Sequence, residues 1–267
     1  MKIGIFDSGI GGLIILRTIK QALPTYDYIY LGDTKRVPYG NRSQQAIFEF
    51  TCEAVDYLFK QGAGLVIVAC NSASARALRK VQQDWLPKHY PKRRVLGVIV
   101  PTVEEVIDNK KIKSIGIIAT QATVNSRTYD KEIYKRNRKI KVYSLATPLL
   151  VPLIENNDLK WARAILKDYL KFFKVHKIEV LLLGCTHYPI VKNIIRSLVT
   201  KKIKVISQDE IIPKKLKLYL RNHPEIAKIL SHKAKVDILV TDMTSHIKVL
   251  AAKWFSKNAK LKVIKLD

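Results

Sequence analysis

Short apolar runs rich in β-branched residues alternate with longer stretches of helical periodicity along most of this chain. Such alternation is typical of a parallel β-sheet connected by crossover helices, because helices cover both faces of buried parallel strands. The predicted strands are 2–6, 28–32, 64–69, 95–100, 114–119, 141–145, 180–184, 204–206 and 236–240. The predicted helices are 12–21, 43–61, 72–84, 103–109, 126–136, 159–173, 189–198 and about 243–255. The pattern therefore predicts an α/β fold.

Two strands of the first half recur in the second half at similar offsets. The run 3–6 is echoed by 115–118, and the run that ends at Cys70 is echoed by the run that ends at Cys185. We therefore expect two similar parallel-sheet sandwich domains related by pseudo-two-fold symmetry, with the active site in the interdomain cleft. Residues after about 212 have no counterpart in the first half. We assign 1–97 plus about 212–267 to the N-terminal domain and about 98–211 to the second.

The charge of the chain is its most unusual global property. Among 267 residues, 48 are Lys or Arg and 22 are Asp or Glu, a formal net charge of +26 at pH 7. The excess is spread along the chain and is mostly lysine, whereas bidentate recognition of phosphates and base edges favours arginine. Nucleic acid is therefore expected only through a weak, non-specific charge effect.

Hydrophobic content and cysteine usage point to a folded protein of the cytoplasm. A hydrophobic fraction of 48% excludes a disordered chain, and the apolar runs are far shorter than the roughly 20 residues of a membrane span. The first residues enter a predicted strand at once, which leaves no room for a signal peptide. Cys52, Cys70 and Cys185 form a sparse, odd-numbered set, as expected for reduced thiols rather than a disulfide framework.

Polar clusters follow three predicted strands, at the carboxyl ends where open parallel sheets bind ligands. They are Asp7-Ser8-Gly9-Ile10-Gly11-Gly12, Cys70-Asn71-Ser72 and Cys185-Thr186-His187. The glycine run fails the G-x-G-x-x-G dinucleotide pattern at its last glycine and lacks the lysine of a P-loop. Each cysteine precedes a predicted helix N-terminus, where the helix dipole and free N–H groups favour a thiolate and bind carboxylates.

Two thiols in equivalent settings restrict the chemistry. A disulfide oxidoreductase normally uses C-x-x-C, which is absent, and a structural zinc site needs four ligands, of which only three are on offer. A Cys-His-Asp hydrolase needs one nucleophile and leaves the second thiol idle. Two-base proton transfer at a stereocentre uses both thiols, one on each face of the reacting carbon.

Five motifs also carry a resemblance to a known family. They are DSGIGGL at 7–13, YLGDT at 30–34, VPYG at 37–40, ACNSASA at 69–75 and LGCTHYP at 183–189. In these motifs the chain resembles the glutamate racemases, and the resemblance runs in register from residue 3 to about 255. It implies a cofactor-independent, metal-free isomerase that interconverts L- and D-glutamate and supplies D-glutamate for peptidoglycan synthesis.

The resemblance also implies roles for individual residues. Cys70 and Cys185 are the two acid/base residues, Asp7 assists Cys70, and His187 with Glu155 assists Cys185. The substrate-binding positions that it implies are Asp7, Ser8, Tyr39, Gly40, Asn71, Ser72, Thr186 and His187, with Thr120 and Thr123 as weaker additions.

Three places depart from the family pattern. Ser72 stands where Thr is usual, Thr147 stands where a non-catalytic Cys is common, and Ser207-Gln208-Asp209 replaces an Asp-Ser pair. None of these departures changes the pair of thiols.

Two alternatives stay open at this point. One is aspartate racemase of the same superfamily, because paired thiols do not measure the length of the substrate side chain. The other, from a different class, is a basic nucleic-acid-binding protein. The oligomeric state is also open, with a homodimer as one candidate.

Overall fold

Two sheets of parallel strands form the framework of the protein. The computed structural model describes residues 1–108 and 112–266. The strands are β1 (Lys2–Asp7), β2 (Tyr28–Gly32), β3 (Ala63–Val68), β4 (Arg94–Gly97), β5 (Ser114–Ala119), β6 (Lys141–Ala146), β7 (Val180–Gly184), β8 (Lys204–Ser207), β9 (Val236–Val240) and β10 (Leu261–Val263). Every predicted strand is present, with bounds that differ by a few residues.

The two sheets repeat one strand order. The first sheet runs β10-β9-β2-β1-β3-β4 and the second runs β6-β5-β7-β8, all parallel. Without β9 and β10, the order β2-β1-β3-β4 matches β6-β5-β7-β8. The strands echoed in the sequence, β1 with β5 and β3 with β7, are therefore equivalent in topology. This confirms the predicted fold class. The domain boundaries stay a prediction.

Helices connect the strands and cover both sheets. Their bounds are α1 (Gly12–Ala22), α2 (Gln44–Lys60), α3 (Asn71–Arg76), α4 (Leu78–Lys80), α5 (Leu86–His89), α6 (Ile99–Ile107), α7 (Gln121–Ser126), α8 (Thr128–Arg136), α9 (Leu150–Glu155), α10 (Leu159–Tyr169), α11 (Lys171–His176), α12 (Lys192–Leu198), α13 (Gln208–Asn222), α14 (Pro224–Ala227) and α15 (Ser245–Trp254). Within the described ranges, none of these helices is long and apolar enough to cross a membrane.

Several predicted elements were wrong in detail. The strand predicted at 95–100 ends at Gly97, and α6 begins at Ile99 because Pro101 fits a first helical turn, where its missing N–H is not needed. The end of the helix predicted at 103–109, Asn109, lies outside the described residues. Sequence reasoning missed α13, whose interior contains Pro213, and the three-residue strand β10.

Strand register places the polar clusters side by side at the carboxyl ends of the sheets. Phe6 in β1 pairs with Val68 in β3, so that the residues following the two strands, including Ser8 and Cys70, are neighbours. In the second sheet Ala119 in β5 pairs with Gly184 in β7, which brings the following residues together in the same way. The two sheets are therefore equivalent at their carboxyl ends. We call the end of β1 and β3 the corner of the first sheet, and the end of β5 and β7 the corner of the second.

The two corners face each other because the halves share one apolar core. A single cluster of buried side chains includes Leu13 and Trp254 from one half and Leu183 from the other. Helix α13 leaves the second sheet and packs against α1 of the first. A Cβ on Gly11 would lie 2.5 Å from the His187 ring, so glycine is needed at this close approach of the two halves.

Candidate active site

The Cys70 thiol lies in the corner formed by β1 and β3. Cys70 precedes α3 directly, and its thiol donates a hydrogen bond to Ser8 Oγ at 3.2 Å. The residue is only 5% exposed, and burial followed by the nearby Asp7 carboxylate raises the pKa of Cys70 to about 12. Cys70 therefore carries its proton at neutral pH.

Asp7 occupies the same corner and connects it to the second sheet. Its Oδ1 accepts a hydrogen bond from Gly9 N–H at 3.0 Å, and its Oδ2 accepts one from Thr186 Oγ1 at 3.3 Å. Burial raises the pKa of Asp7, while the charge of His187 acts in the opposite direction. A buried carboxyl group whose pKa is raised is suited to exchange a proton with a neighbouring group.

Cys185 occupies the equivalent corner of the second sheet with different neighbours. It follows β7, is buried, and its Sγ lies 3.7 Å from His187 Nδ1. The other ring nitrogen, His187 Nε2, lies 2.9 Å from Glu155 Oε1 at the end of α9. Sulfur, imidazole and carboxylate therefore form one continuous row.

The cation next to Cys185 is the protonated imidazole of His187. Burial acts to lower the pKa of His187, but its interactions with Cys185 and Glu155 raise the pKa to about 10. Burial acts to raise the pKa of Glu155, but the hydrogen bond and charge of His187 bring that pKa below its ordinary value. Trp254 covers the imidazole edge-on, with ring centroids 5.4 Å apart. At neutral pH His187 is therefore an imidazolium that can hold a negative charge on the neighbouring sulfur.

The segment after β2 brings Tyr39 and Gly40 up to the second sheet. A Cβ on Gly40 would lie 3.3 Å from Thr120 Cβ, so glycine allows this close approach. Tyr39 is buried, and its hydroxyl donates to Asp33 Oδ2 at 2.6 Å, while Thr241 Oγ1 donates to Asp33 Oδ1 at 2.9 Å. The Tyr39 hydroxyl is thus engaged by Asp33, which leaves the ring and backbone of this segment for ligand contact.

Hydroxyl groups also meet across the two halves. Ser72 Oγ lies 2.9 Å from Thr120 Oγ1, which in turn lies 3.0 Å from Thr123 Oγ1. Thr120 also accepts a hydrogen bond from Thr123 N–H and so caps α7. The family pattern has threonine at position 72, and the serine found here still supplies the hydroxyl that contacts Thr120.

The structure gathers the predicted site residues at the facing carboxyl ends of the two sheets. Sequence reasoning missed three polar residues that contact them, namely Asp33, Tyr129 and Gln208, and also Thr241, which donates to Asp33. Asp33 belongs to the YLGDT motif and Gln208 to a departure from the family pattern, so both had a signal. Tyr129 and Thr241 had none. Within the part of the chain that is described, no cluster of three or more His, Cys, Asp or Glu side chains could hold a metal ion.

The sequence and the fold are those of an established enzyme family. The model of the Asp/Glu/Hydantoin racemase family matches residues 11–212, well over half of the chain. The chain therefore belongs to the Asp/Glu/hydantoin racemase family, a class of isomerases.

Within that class the similarity is to glutamate racemases. The chain is 42% identical to the glutamate racemase of Aquifex aeolicus over 224 residues, covering 83% of this chain and 84% of the relative. The crystal structure of glutamate racemase isoform RacE1 from Bacillus anthracis matches with a TM-score of 0.90 at 30% identity, covering 99% and 97% of the two chains. That of the Francisella tularensis glutamate racemase in complex with D-glutamate matches with a TM-score of 0.88 at 33% identity, covering 100% and 98%. The branch of the family to which this chain belongs is therefore that of the glutamate racemases.

Proposed function

We propose that this protein interconverts L- and D-glutamate, with Cys70 and Cys185 as the two proton-transfer groups. The observation that carries the proposal is the pair of buried thiols at equivalent strand ends of two sheets with one topology. The names of the relatives, and D-glutamate in the Francisella tularensis structure, support glutamate as the substrate.

The reaction requires one group on each face of the reacting carbon. In one direction the Cys185 thiolate takes the α-proton: the Cα–H bond breaks, an S–H bond forms, and the electron pair remains on Cα beside the carboxylate. Cys70 then gives its thiol proton to the opposite face and is left as a thiolate. The reverse reaction exchanges the two roles. Proton exchange with water between turnovers restores the resting state.

The neighbours of each thiol suit these roles. The His187 imidazolium, held by Glu155 at 2.9 Å, can stabilise the Cys185 thiolate. On the other side, the Asp7 carboxylate beside Cys70 can accept a proton, because burial raises its pKa. The Cys185 side thus places a cation beside its sulfur, whereas the Cys70 side places a carboxyl group beside its thiol.

Substrate binding would rest mostly on uncharged donors. Glutamate carries two carboxylates and an ammonium group, and N–H, hydroxyl and amide groups can hold these without burying an unpaired protein charge. We assign this role to the positions facing the cleft, with the Asp7 carboxylate and the His187 imidazolium as the charged members. They are Asp7, Ser8, Tyr39, Gly40, Asn71, Ser72, Thr120, Thr123, Thr186 and His187.

The physiological role follows from the same proposal. D-glutamate made by this enzyme would enter peptidoglycan synthesis, and the compartment that we propose is the cytoplasm, in keeping with three free cysteines. A homodimer stays a prediction.

One assay tests the reaction and its main alternative. The protein is incubated with L-glutamate in D₂O, without pyridoxal phosphate, while optical rotation and deuterium incorporation at Cα are followed. We expect loss of rotation together with α-deuteration. Turnover of aspartate with none of glutamate would contradict the proposal and move the assignment to aspartate racemase. Absence of both signals with either substrate would exclude racemisation altogether.

A further inference from the structure

A buried polar triad joins the residue next to one thiol to the surroundings of the other. Asn71 follows Cys70 at the start of α3, Gln208 begins α13, and Tyr129 lies in α8. All three residues are at most 3% exposed. The triad therefore brings together three elements that are far apart in the sequence.

The hydrogen bonds of the triad are reciprocal. Asn71 Nδ2 donates to Gln208 Oε1 at 2.7 Å, and Gln208 Nε2 donates to Asn71 Oδ1 at 2.9 Å. The Tyr129 hydroxyl donates to Asn71 Oδ1 at 2.9 Å and accepts from Gln208 Nε2 at 3.1 Å. Each side chain thus contacts both of the others.

The number of hydrogen bonds that the Asn71 amide can make explains how the triad fixes its orientation. An asparagine oxygen has two lone pairs, and both are taken here, by Gln208 and Tyr129. Its nitrogen has two N–H groups, and one is taken by Gln208. The amide plane is thereby fixed, and the second N–H is not used within the triad.

We infer that Gln208 is a positioning residue, which fixes the Asn71 amide so that its remaining N–H can bind a carboxylate of the substrate. This inference rests on the proposed function of the cleft. Gln208 belongs to the Ser207-Gln208-Asp209 segment, which departs from the family pattern.

Tyr129 extends the same network to the second thiol. Its ring lies against the Gly184 backbone, since a Cβ on Gly184 would be 3.3 Å from Tyr129 Cε2, and Cys185 follows Gly184 directly. Burial, with a contribution from the Cys185 charge, raises the pKa of Tyr129, so its hydroxyl keeps the proton that it donates to Asn71. The triad is therefore uncharged on both sides of the cleft.

The test is a set of steady-state measurements on Gln208→Met, a substitution of similar size that removes the amide. Its loss leaves the Asn71 amide free to turn, so we expect KM to rise about tenfold for both enantiomers with a much smaller change in kcat. Tyr129→Phe removes one hydrogen bond from the same amide and is expected to raise KM by a smaller factor. If Gln208→Met does not fold, this second variant decides the question.

Two further comparisons show whether Gln208 positions the Asn71 amide or only stabilises the fold. Gln82→Met removes the amide of a glutamine that donates to the Val95 carbonyl outside the cleft, and it should leave KM unchanged. In Asn71→Ala, adding Gln208→Met should raise KM no further, because the group being positioned is already gone.

The possible failures are distinguishable. Unchanged KM in both Gln208→Met and Tyr129→Phe, in an enzyme that racemises glutamate, would overturn the role of Gln208 and leave the proposed function standing. A wild-type protein that does not racemise glutamate would overturn the proposed function itself.

Discussion

The Cys70 and Cys185 halves of the cleft have one strand topology but surround their thiols with different groups. On the Cys70 side, the thiol donates to the Ser8 hydroxyl beside the buried carboxyl of Asp7. On the Cys185 side, the sulfur lies beside an imidazolium that is paired with Glu155. The repeated topology thus sets where each sulfur lies, whereas residues that are not repeated set the charge around it.

This difference bears on how a racemase can work in both directions. The substrates are mirror images with equal free energies, so the equilibrium constant is one and kcat/KM must be equal in the two directions. No substitution in either half can change that equality. Asymmetry between the halves can therefore appear only in the separate values of kcat and KM for each enantiomer.

The largest effect is expected when either half loses its thiol. Cys70→Ala and Cys185→Ala should each slow racemisation by about 10³-fold or more, because each removes a proton-transfer group that the other cannot replace. The rate is measured by circular dichroism from both enantiomers.

The third cysteine supplies the control for this pair. Cys52 lies in α2, away from both strand ends, and Cys52→Ala should racemise at the wild-type rate. Wild-type activity in either Cys70→Ala or Cys185→Ala would rule out the two-thiol mechanism.

The next effect compares the partners of the two thiols. His187→Gln removes the cation beside Cys185 and should lower kcat about 100-fold, within the usual range for groups that assist proton transfer. Ser8→Ala removes only the hydroxyl that accepts from the Cys70 thiol and should lower kcat less than tenfold. Equal losses in the two variants would show that the halves are balanced after all.

A smaller effect is expected where the halves touch. A Cβ on Gly11 would lie 2.5 Å from His187 Cε1 and 2.6 Å from Thr186 Oγ1, so Gly11→Ala must push the two corners apart. We expect about tenfold lower activity and about 1–3 kcal/mol less stability in chemical denaturation. Gly9→Ala, whose Cβ would meet only a Val37 methyl at 3.1 Å, is the matched control and should be milder. A harmless Gly11→Ala would show that the corners need not lie this close.

The smallest effect is a pH-dependent stability on the Cys185 side. The pKa of His187 is raised from 6.5 to about 10, so its stabilisation is fully present below pH 6.5 and is lost as the pH rises through 10. Glu155 has a lowered pKa, so its contribution is lost only in acid. Glu155 is one-third exposed, which screens the pair.

Glu155→Gln tests this stabilisation directly. Near pH 6 it should unfold with about 1 kcal/mol less free energy than the wild type, and the difference should shrink as the pH approaches 10. Urea titrations at several pH values measure it. A difference that grows with pH would contradict the raised pKa of His187.

Much of this site could be predicted from consecutive residues. The alternation of apolar runs and helical stretches predicted the α/β fold, and two similar runs ending in Cys70 and Cys185 predicted the repeat. His187, two positions after Cys185, and Ser8, in the opening motif far from Cys70 in sequence, were both found because they belong to recognisable motifs. Tyr129 was not found, because nothing in an ordinary amphipathic helix distinguishes a tyrosine that reaches a site from one that fills the core.

The sequence by itself determined nine of the ten described strands, the helices that connect most of them, and the placement of two thiols at equivalent strand ends, because these depend on local periodicity and turn chemistry. Only the tertiary structure decided which groups meet across the cleft. Thr186 donates to Asp7 over a separation of 179 positions, and Asn71 pairs with Gln208 over 137. Contacts of that kind depend on how two sheets pack on a shared core, which no local pattern encodes.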